Sequence, residues 1–255
     1  MNSKTTPQVG LLLRSAALLL LTVSTAFASE THIAVAANFT DVARRLAPLF
    51  EEQSGHEIAI SYGSTGKLYA QIEHGAPYDL FLAADTQRPE RAEKKGLAVP
   101  GSGFIYAKGR LVLWSADDAR FSKGVDYLKS GAPNHVAIAN PKTAPYGTAA
   151  REVMQRLGLW PSLQRKLVKG DSIAQTFQFV ATENAEAGFV AYSQVKGWRG
   201  EPGAVWEIPS DYYSPIEQGV VLLKRGIDNP AALAFLEFLK SDAALELIEK
   251  YGYDI

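Results

Sequence analysis

The sequence contains no cysteine. That excludes disulfides, thiolate catalysis, Cys-ligated zinc and a lipid-anchored N-terminal cysteine. Histidine is scarce: His32, His56, His74 and His135 are scattered and form no H-E-x-x-H pair. Such a set points to no side-chain metal site. Excess positive charge is missing too, with a formal net charge of −1. Lys4 and Arg14 fall in an N-terminal leader, so the 26 basic residues become 24 after it, against 27 acidic, a net −3. Duplex-binding surfaces are basic and clustered; no such patch is present, and no nucleic-acid partner is expected. Repeats, low-complexity tracts and heptads are also absent. The chain lacks the usual phosphate loops. Two residues, not four, separate Gly63 from Gly66, Leu68 follows Lys67, and position 61 is Ser where a dinucleotide fingerprint needs Gly. Gly63-Ser64-Thr65-Gly66 is not a G-x-S-x-G elbow either. An anion bound there is not expected to be a nucleotide.

What is present begins with the leader. Lys4 and Arg14 precede Ala16–Val23, an apolar core too short to span a bilayer, and Ala26-Phe27-Ala28 is an A-x-A cleavage site. Residues 1–28 read as a signal peptide, with the mature chain starting at Ser29 and exported, most simply to a periplasm. The 255 residues suffice for one large or two moderate domains, and 47% hydrophobic residues can build a packed core.

The organising stretch is Ile58 to Lys67. A strand stops in the turn Gly63-Ser64-Thr65-Gly66, and a helix follows to His74 with Leu68 and Ile72 on one face. Free N–H groups, hydroxyls and a helix dipole then surround one point, which suits an anion. The ordinary reading of Ser or Thr before a helix is a cap.

The rest of the chain repeats this alternation. His32–Ala37 reads as a strand, followed by a helix with Asn38 as its N-cap, Pro48 inside it and Gly55 at its stop. Asp79–Ala84 is a buried strand; a polar helix Arg88–Lys95 and a strand Arg110–Trp114 follow. The order β-α-β-α-β-α-β argues for an α/β fold with a largely parallel sheet. Val136–Ala139, a helix from about Thr148, a helix capped by Asp171-Ser172, and a strand Gly188–Tyr192 form a second set. Lys196–Ser214 reads as loop. Gly219–Leu223 is a strand, and two helices capped by Asn229 and Ser241 end the chain.

The segment Gln71–Asp85, with Pro77-Tyr78-Asp79-Leu80-Phe81, resembles the signature of periplasmic molybdate-binding proteins, the solute receptors of molybdate ABC importers. Ala36–Phe39, Gly63–Gly66, Asn140-Pro141 with Ala144–Gly147, Tyr213–Ile216 and Lys250–Tyr253 agree with it. The likeness covers essentially the whole chain after the leader. It implies a two-lobed type II periplasmic-binding fold with a ligand cleft between lobes. Lobe one would hold residues 31–111 and 218–255, lobe two residues 112–217, with crossings near Leu111–Trp114 and Glu217–Val221. It also implies a monomeric receptor for molybdate or tungstate, no cofactor, and the permease and ATPase subunits of an importer as partners.

Carried over by position, the molybdate oxyanion meets the Asn38 side chain, the turn at Ser64 and Thr65, and the backbone at Tyr146 and Ile173; the metal arrives as that oxyanion, not as a bare cation. One departure stands out. Some members reach the ligand with a tyrosine where this chain has Ala191; here Tyr192 comes one place later and should point away. Tyr146 is expected to supply the missing contact. Every proposed contact sits at a helix start, where donors can replace the water shell of a dianion without a counter-ion. Sulfate or another oxyanion is the alternative ligand. A secreted hydrolase with Ser64 as nucleophile is the alternative class, and it lacks a recognisable base. Lys67 reads as a solvated helix residue, Asp85 as a structural cap, Tyr212 and Tyr213 as packing at a crossing.

Overall fold

The computed structural model describes residues 28–255, so the leader lies outside it except for Ala28. The first run is β1 (Glu30–Ala36), α1 (Thr40–Ser54), β2 (Glu57–Gly63), α2 (Thr65–Glu73), β3 (Leu80–Leu82), α3 (Gln87–Lys94) and β4 (Phe104–Gly109). The second is β5 (Leu111–Ser115), α4 (Gly124–Lys129), β6 (Val136–Ala139), α5 (Pro145–Arg156), α6 (Trp160–Leu163), β7 (Leu167–Gly170), α7 (Ile173–Ala181), β8 (Ala187–Ala191), α8 (Tyr192–Gly197) and β9 (Ala204–Glu207). The chain then returns through β10 (Ile216–Leu222), α9 (Pro230–Phe238) and α10 (Asp242–Lys250).

These elements make a two-lobed type II α/β fold with one five-stranded sheet per lobe. The orders are β2-β1-β3-β10-β4 and β7-β6-β8-β5-β9. In the first, β10 runs antiparallel to β3 and β4; in the second, β5 runs antiparallel to β8 and β9. Both sheets carry helices on both faces, which is why their central strands are apolar throughout rather than alternating. Ile33 and Val35 of β1 pack with Val42, Leu46 and Phe50 of α1, whereas Ala34 between them packs with Leu68 and Ile72 of α2. In the second lobe Leu113 faces Val153 and Met154 of α5. Trp114 faces the other way and stacks on Phe177 of α7 at 4.6 Å. Among the described residues no helix is long and apolar enough to cross a membrane.

The chain changes sheet between Gly109 and Leu111, and again between Glu207 and Ile216. The expected strand Arg110–Trp114 is present as β5, but it lies in the second sheet instead of spanning the first crossing. The apolar stretch from Phe104 to Trp114 is two strands in two sheets, broken at Gly109-Arg110. The fourth strand of the first run is therefore β4, and β5 and β10 each lie wholly within one lobe instead of spanning a crossing. β4, β7 and β9 are not among the expected strands: β7 and β9 are short, β9 sits inside a glycine- and proline-rich stretch, and β4 runs into the polar Lys108-Gly109-Arg110.

Three caps fall where expected. Ser172 accepts from Gln175 N at 3.2 Å, Asn229 from Ala231 N at 3.0 Å and Ser241 from Ala244 N at 3.3 Å. Asn38 is not a cap: it lies in a single 3-10 turn, Ala37–Phe39, ahead of α1, and its side chain bonds elsewhere. Asp79 of the signature segment is structural. Its buried carboxylate accepts from His32 N at 2.8 Å and Asn229 Nδ2 at 3.2 Å and pairs with Arg225, tying β1 to the start of α9.

Candidate functional site

β2 delivers the chain into Ser64, whose backbone (φ −67°, ψ 143°) is that of an N-cap. Yet the side chain does not cap α2. Its Oγ is buried and has no hydrogen-bond partner, and the residue is only 3% exposed. An unpaired buried polar group costs about 1–3 kcal/mol, and the hydroxyl is left as a free donor at the start of α2. The neighbouring Thr65 Oγ1 accepts from Ala84 N at 3.1 Å, pinning the start of α2 to the end of β3. A hydroxyl that accepts still keeps its own proton to donate.

The second lobe brings two more helix starts to this place. α5 opens with Pro145, which has no N–H to lose, so Tyr146 carries its first free amide. α7 opens at Ile173 behind the Ser172 cap. First-turn amides have no partner inside their helix. Gly147 makes the approach of α5 possible: a Cβ there would overlap the Ala139 carbonyl at the end of β6. Gln194 of α8 fixes α7 in turn. Its Nε2 donates to Ile173 O and its Oε1 accepts from Ala191 N, both at 3.1 Å.

The two sets of helix starts meet. Ala36, Ala37 and Ala84 from the strand ends of the first lobe share one buried cluster with Ala144, Tyr146 and Ile173 from the second. Gly66 N donates to Thr143 O across the cleft at 2.8 Å. Lys67, read as merely solvated, forms an inter-lobe ion pair with Asp171. Asp85 behaves as the cap expected of it, accepting from Arg88 N at 3.0 Å and pairing with the Arg88 guanidinium. Tyr213 OH accepts from Leu111 N at 3.1 Å at the first crossing, and Tyr212 lies under Arg156.

Two expectations about side chains change. Asn38 is buried, but both donors of its side-chain amide are used inside the protein, on Gln218 Oε1 at 2.8 Å and Tyr253 OH at 2.9 Å. What position 38 can offer a ligand is a main-chain amide in a helical turn. The Tyr146 phenol runs to the crossing, where a Cβ on Gly109 would overlap its Oη. Burial holds its pKa well above the ordinary value of 10, so it stays protonated. Its Oη has no hydrogen-bond partner. Tyr192 does point away, for a reason other than strand alternation. β8 ends at Ala191 and Tyr192 opens α8, so its ring lies against Gly252 and under the Arg110 guanidinium, 4.9 Å from its centre.

Sequence reasoning missed four buried polar residues here: Ser193, Gln194, Gln218 and Tyr253. The available signal was Gln218 inside the strand Ile216–Leu222 and the Ser193-Gln194 pair one residue beyond the all-apolar strand Ala187–Ala191. Among the described residues no group of three or more His, Asp or Glu side chains could hold a metal ion. The candidate site brings together amides and hydroxyls at helix starts between the two lobes.

The chain and its fold have counterparts among known proteins. The sequence profile of a family described as bacterial extracellular solute-binding protein matches residues 31–254. The chain belongs to this family. Two relatives are similar over most of the chain. The molybdate-binding protein ModA of Rhodobacter capsulatus is 54% identical over 89% of this chain and 89% of its own length. ModA of Azotobacter vinelandii is 51% identical over 89% of this chain and 91% of its own. The solved Azotobacter vinelandii periplasmic molybdate-binding protein superposes with a TM-score of 0.85, covering 88% of this chain and 99% of the other at 38% structural-alignment identity. This solute-binding protein thus shares its two-lobed architecture with a periplasmic molybdate-binding protein.

Proposed function

We propose that this solute-binding protein captures molybdate, and tungstate with it, as an intact tetrahedral dianion between its lobes. It then delivers the anion to the permease and ATPase subunits of an ABC importer. It acts as a monomer in the periplasm after removal of residues 1–28. Two lobes, residues 30–109 with 216–255 and residues 111–207, close on the anion. The Ser64 and Thr65 hydroxyls and the amides at Asn38, Tyr146 and Ile173 supply the donors, and no cofactor takes part.

The observation that carries this reading is the Ser64 hydroxyl, a buried donor with no protein partner at a helix start. A dianion without water needs several such donors at once, and helix starts provide them with a favourable dipole. The same observation disfavours a serine hydrolase, because an activated nucleophile has a base in hydrogen-bond reach. The relatives' names support the choice of anion. Titration calorimetry of the mature protein with sodium molybdate is the test. One molybdate per chain is the expected outcome; no heat and no thermal stabilisation with molybdate, tungstate or sulfate sinks the proposal.

A further inference from the structure

Four buried polar side chains form a network that the proposed anion contacts do not use. The Asn38 carbonyl accepts from Tyr253 OH at 2.8 Å and from Ser193 Oγ at 3.0 Å. The two hydroxyls are 3.1 Å apart. The Asn38 side-chain amide donates to Tyr253 OH and to Gln218 Oε1, and Gln218 Nε2 donates to Ile216 O at 3.1 Å. Asn38, Ser193, Gln218 and Tyr253 are each at most 4% exposed.

Their origins in the fold give the network its meaning. Asn38 is in the turn after β1, and Tyr253 closes the chain behind α10, both in the first lobe. Gln218 sits on β10 just after the second crossing, at a register shift against β4. Such a bulge re-aims a side chain, here into the interior. Ser193 alone comes from the second lobe, in the first turn of α8. The next residue, Gln194, holds Ile173 at the start of α7. One short helix therefore grips two proposed anion contacts from opposite lobes: the Asn38 peptide through Ser193 and the α7 start through Gln194. Gly197 at the end of α8 also approaches Asp41 of α1, where a Cβ would come within 2.9 Å of its carboxylate.

We infer that Ser193 is a positioning residue for anion capture, tying the second lobe to the Asn38 carbonyl so that lobe closure and the placement of the Ala37–Phe39 turn, which carries the Asn38 amide, are one event. This rests on the proposed function. Tyr253 is its first-lobe counterpart on the same carbonyl. Removing Ser193 leaves the fold's cores untouched but lets the Asn38 peptide turn and the lobes part more readily. The loss then appears in dissociation of the anion rather than in its encounter, because the encounter happens before closure.

The experiment is stopped-flow and calorimetry with sodium molybdate on the mature wild type, Ser193→Ala, Tyr253→Phe and the double variant. For Ser193→Ala we expect dissociation roughly five- to tenfold faster, as for loss of one hydrogen bond, with the association rate unchanged. The double variant should lose more than the product of the single effects, since both hydroxyls serve one buried carbonyl. A merely structural role predicts equal losses of melting temperature with and without molybdate and an unchanged dissociation rate; that result overturns the inference. Should Ser193→Ala fail to fold, Tyr253→Phe decides alone: it keeps the ring, and an unchanged dissociation rate counts against the network. If the wild type binds no oxyanion, the proposed function fails and this inference with it. If the wild type binds and the variants release molybdate as slowly, only the inference fails.

Discussion

Lys67 Nζ and Asp171 Oδ2 stand 2.8 Å apart across the cleft, one in the first turn of α2, the other just ahead of the α7 cap. The pair joins the two lobes and neutralises the carboxylate just ahead of α7. Both side chains are largely exposed, so the pair is worth only about 0.2–1 kcal/mol. Lys67→Ala should speed molybdate release by no more than about fivefold, and high salt should shrink that difference. Stopped-flow release at low and high ionic strength checks it. A salt-independent effect of tenfold or more means Lys67 meets the anion directly.

Ser64 and Asn38 should respond oppositely to truncation. Ser64→Ala deletes a hydroxyl the fold does not satisfy, so the ligand-free protein should be as stable as the wild type or slightly more so. Binding should weaken by roughly tenfold or more, as for a charge-assisted bond of about 1.5–3 kcal/mol. Asn38→Ala strands buried partners on Gln218 and Tyr253, at about 1–3 kcal/mol for each group left unpaired, so the ligand-free protein should itself lose stability. Urea unfolding and calorimetry on both variants separate the cases. If Ser64→Ala unfolds early and binds normally, its hydroxyl belongs to the fold.

The difference between these two residues shows what the sequence reveals. The α/β order, the central strands and the caps at Ser172, Asn229 and Ser241 are legible because each is set by neighbours in the chain. Asn38 and Ser64 look alike locally: each is a small polar residue between a strand and a helix. Their roles diverge through residues about 180 and 215 positions away for Asn38 and through the absence of any partner for Ser64. Local pattern cannot carry that information. The placement of the first crossing within Leu111–Trp114 misled for a similar reason, since sheet membership depends on partner strands rather than on the strand's own composition.

Alkaline pH should destabilise the protein through its buried phenols. Burial raises the pKa of Tyr106, Tyr146 and Tyr253, with all three above the ordinary value of 10. A raised folded-state pKa means the unfolded chain loses its protons first. The stability is therefore fully present below pH 10 and falls as pH rises above it. Each such tyrosine contributes a slope of about 1.4 kcal/mol per pH unit until its folded form also ionises. Urea unfolding from pH 8 to 11 should show a flat region and then a decline, and Tyr253→Phe should reduce the slope. A decline that starts well below pH 10 points to other groups.

Selectivity among oxyanions follows from the donor set. Molybdate, tungstate and sulfate are fully deprotonated tetrahedral dianions at neutral pH, so amides and hydroxyls satisfy them. Phosphate still carries a proton there and needs an acceptor. Ser64 could accept it only by turning its own proton away, and no protein atom takes that proton. One buried O–H would then go unpaired at about 1–3 kcal/mol. The nearby carboxylate of Asp171 is largely exposed and already paired with Lys67. Sulfate passes the proton test but is smaller, and donors fixed at the starts of α2, α5 and α7 cannot all follow it inward, since each start is held by its own contacts at Ala84, Ala139 and Gln194. At about 100 times the dissociation constant a ligand stabilises the fold by about 2.7 kcal/mol. The melting temperature should therefore rise clearly with molybdate and tungstate, slightly with sulfate and not with phosphate. If phosphate matches molybdate, a carboxylate such as Asp41 or Asp171 must turn into the site, and Asp171→Asn would then abolish the phosphate response while leaving that to molybdate intact.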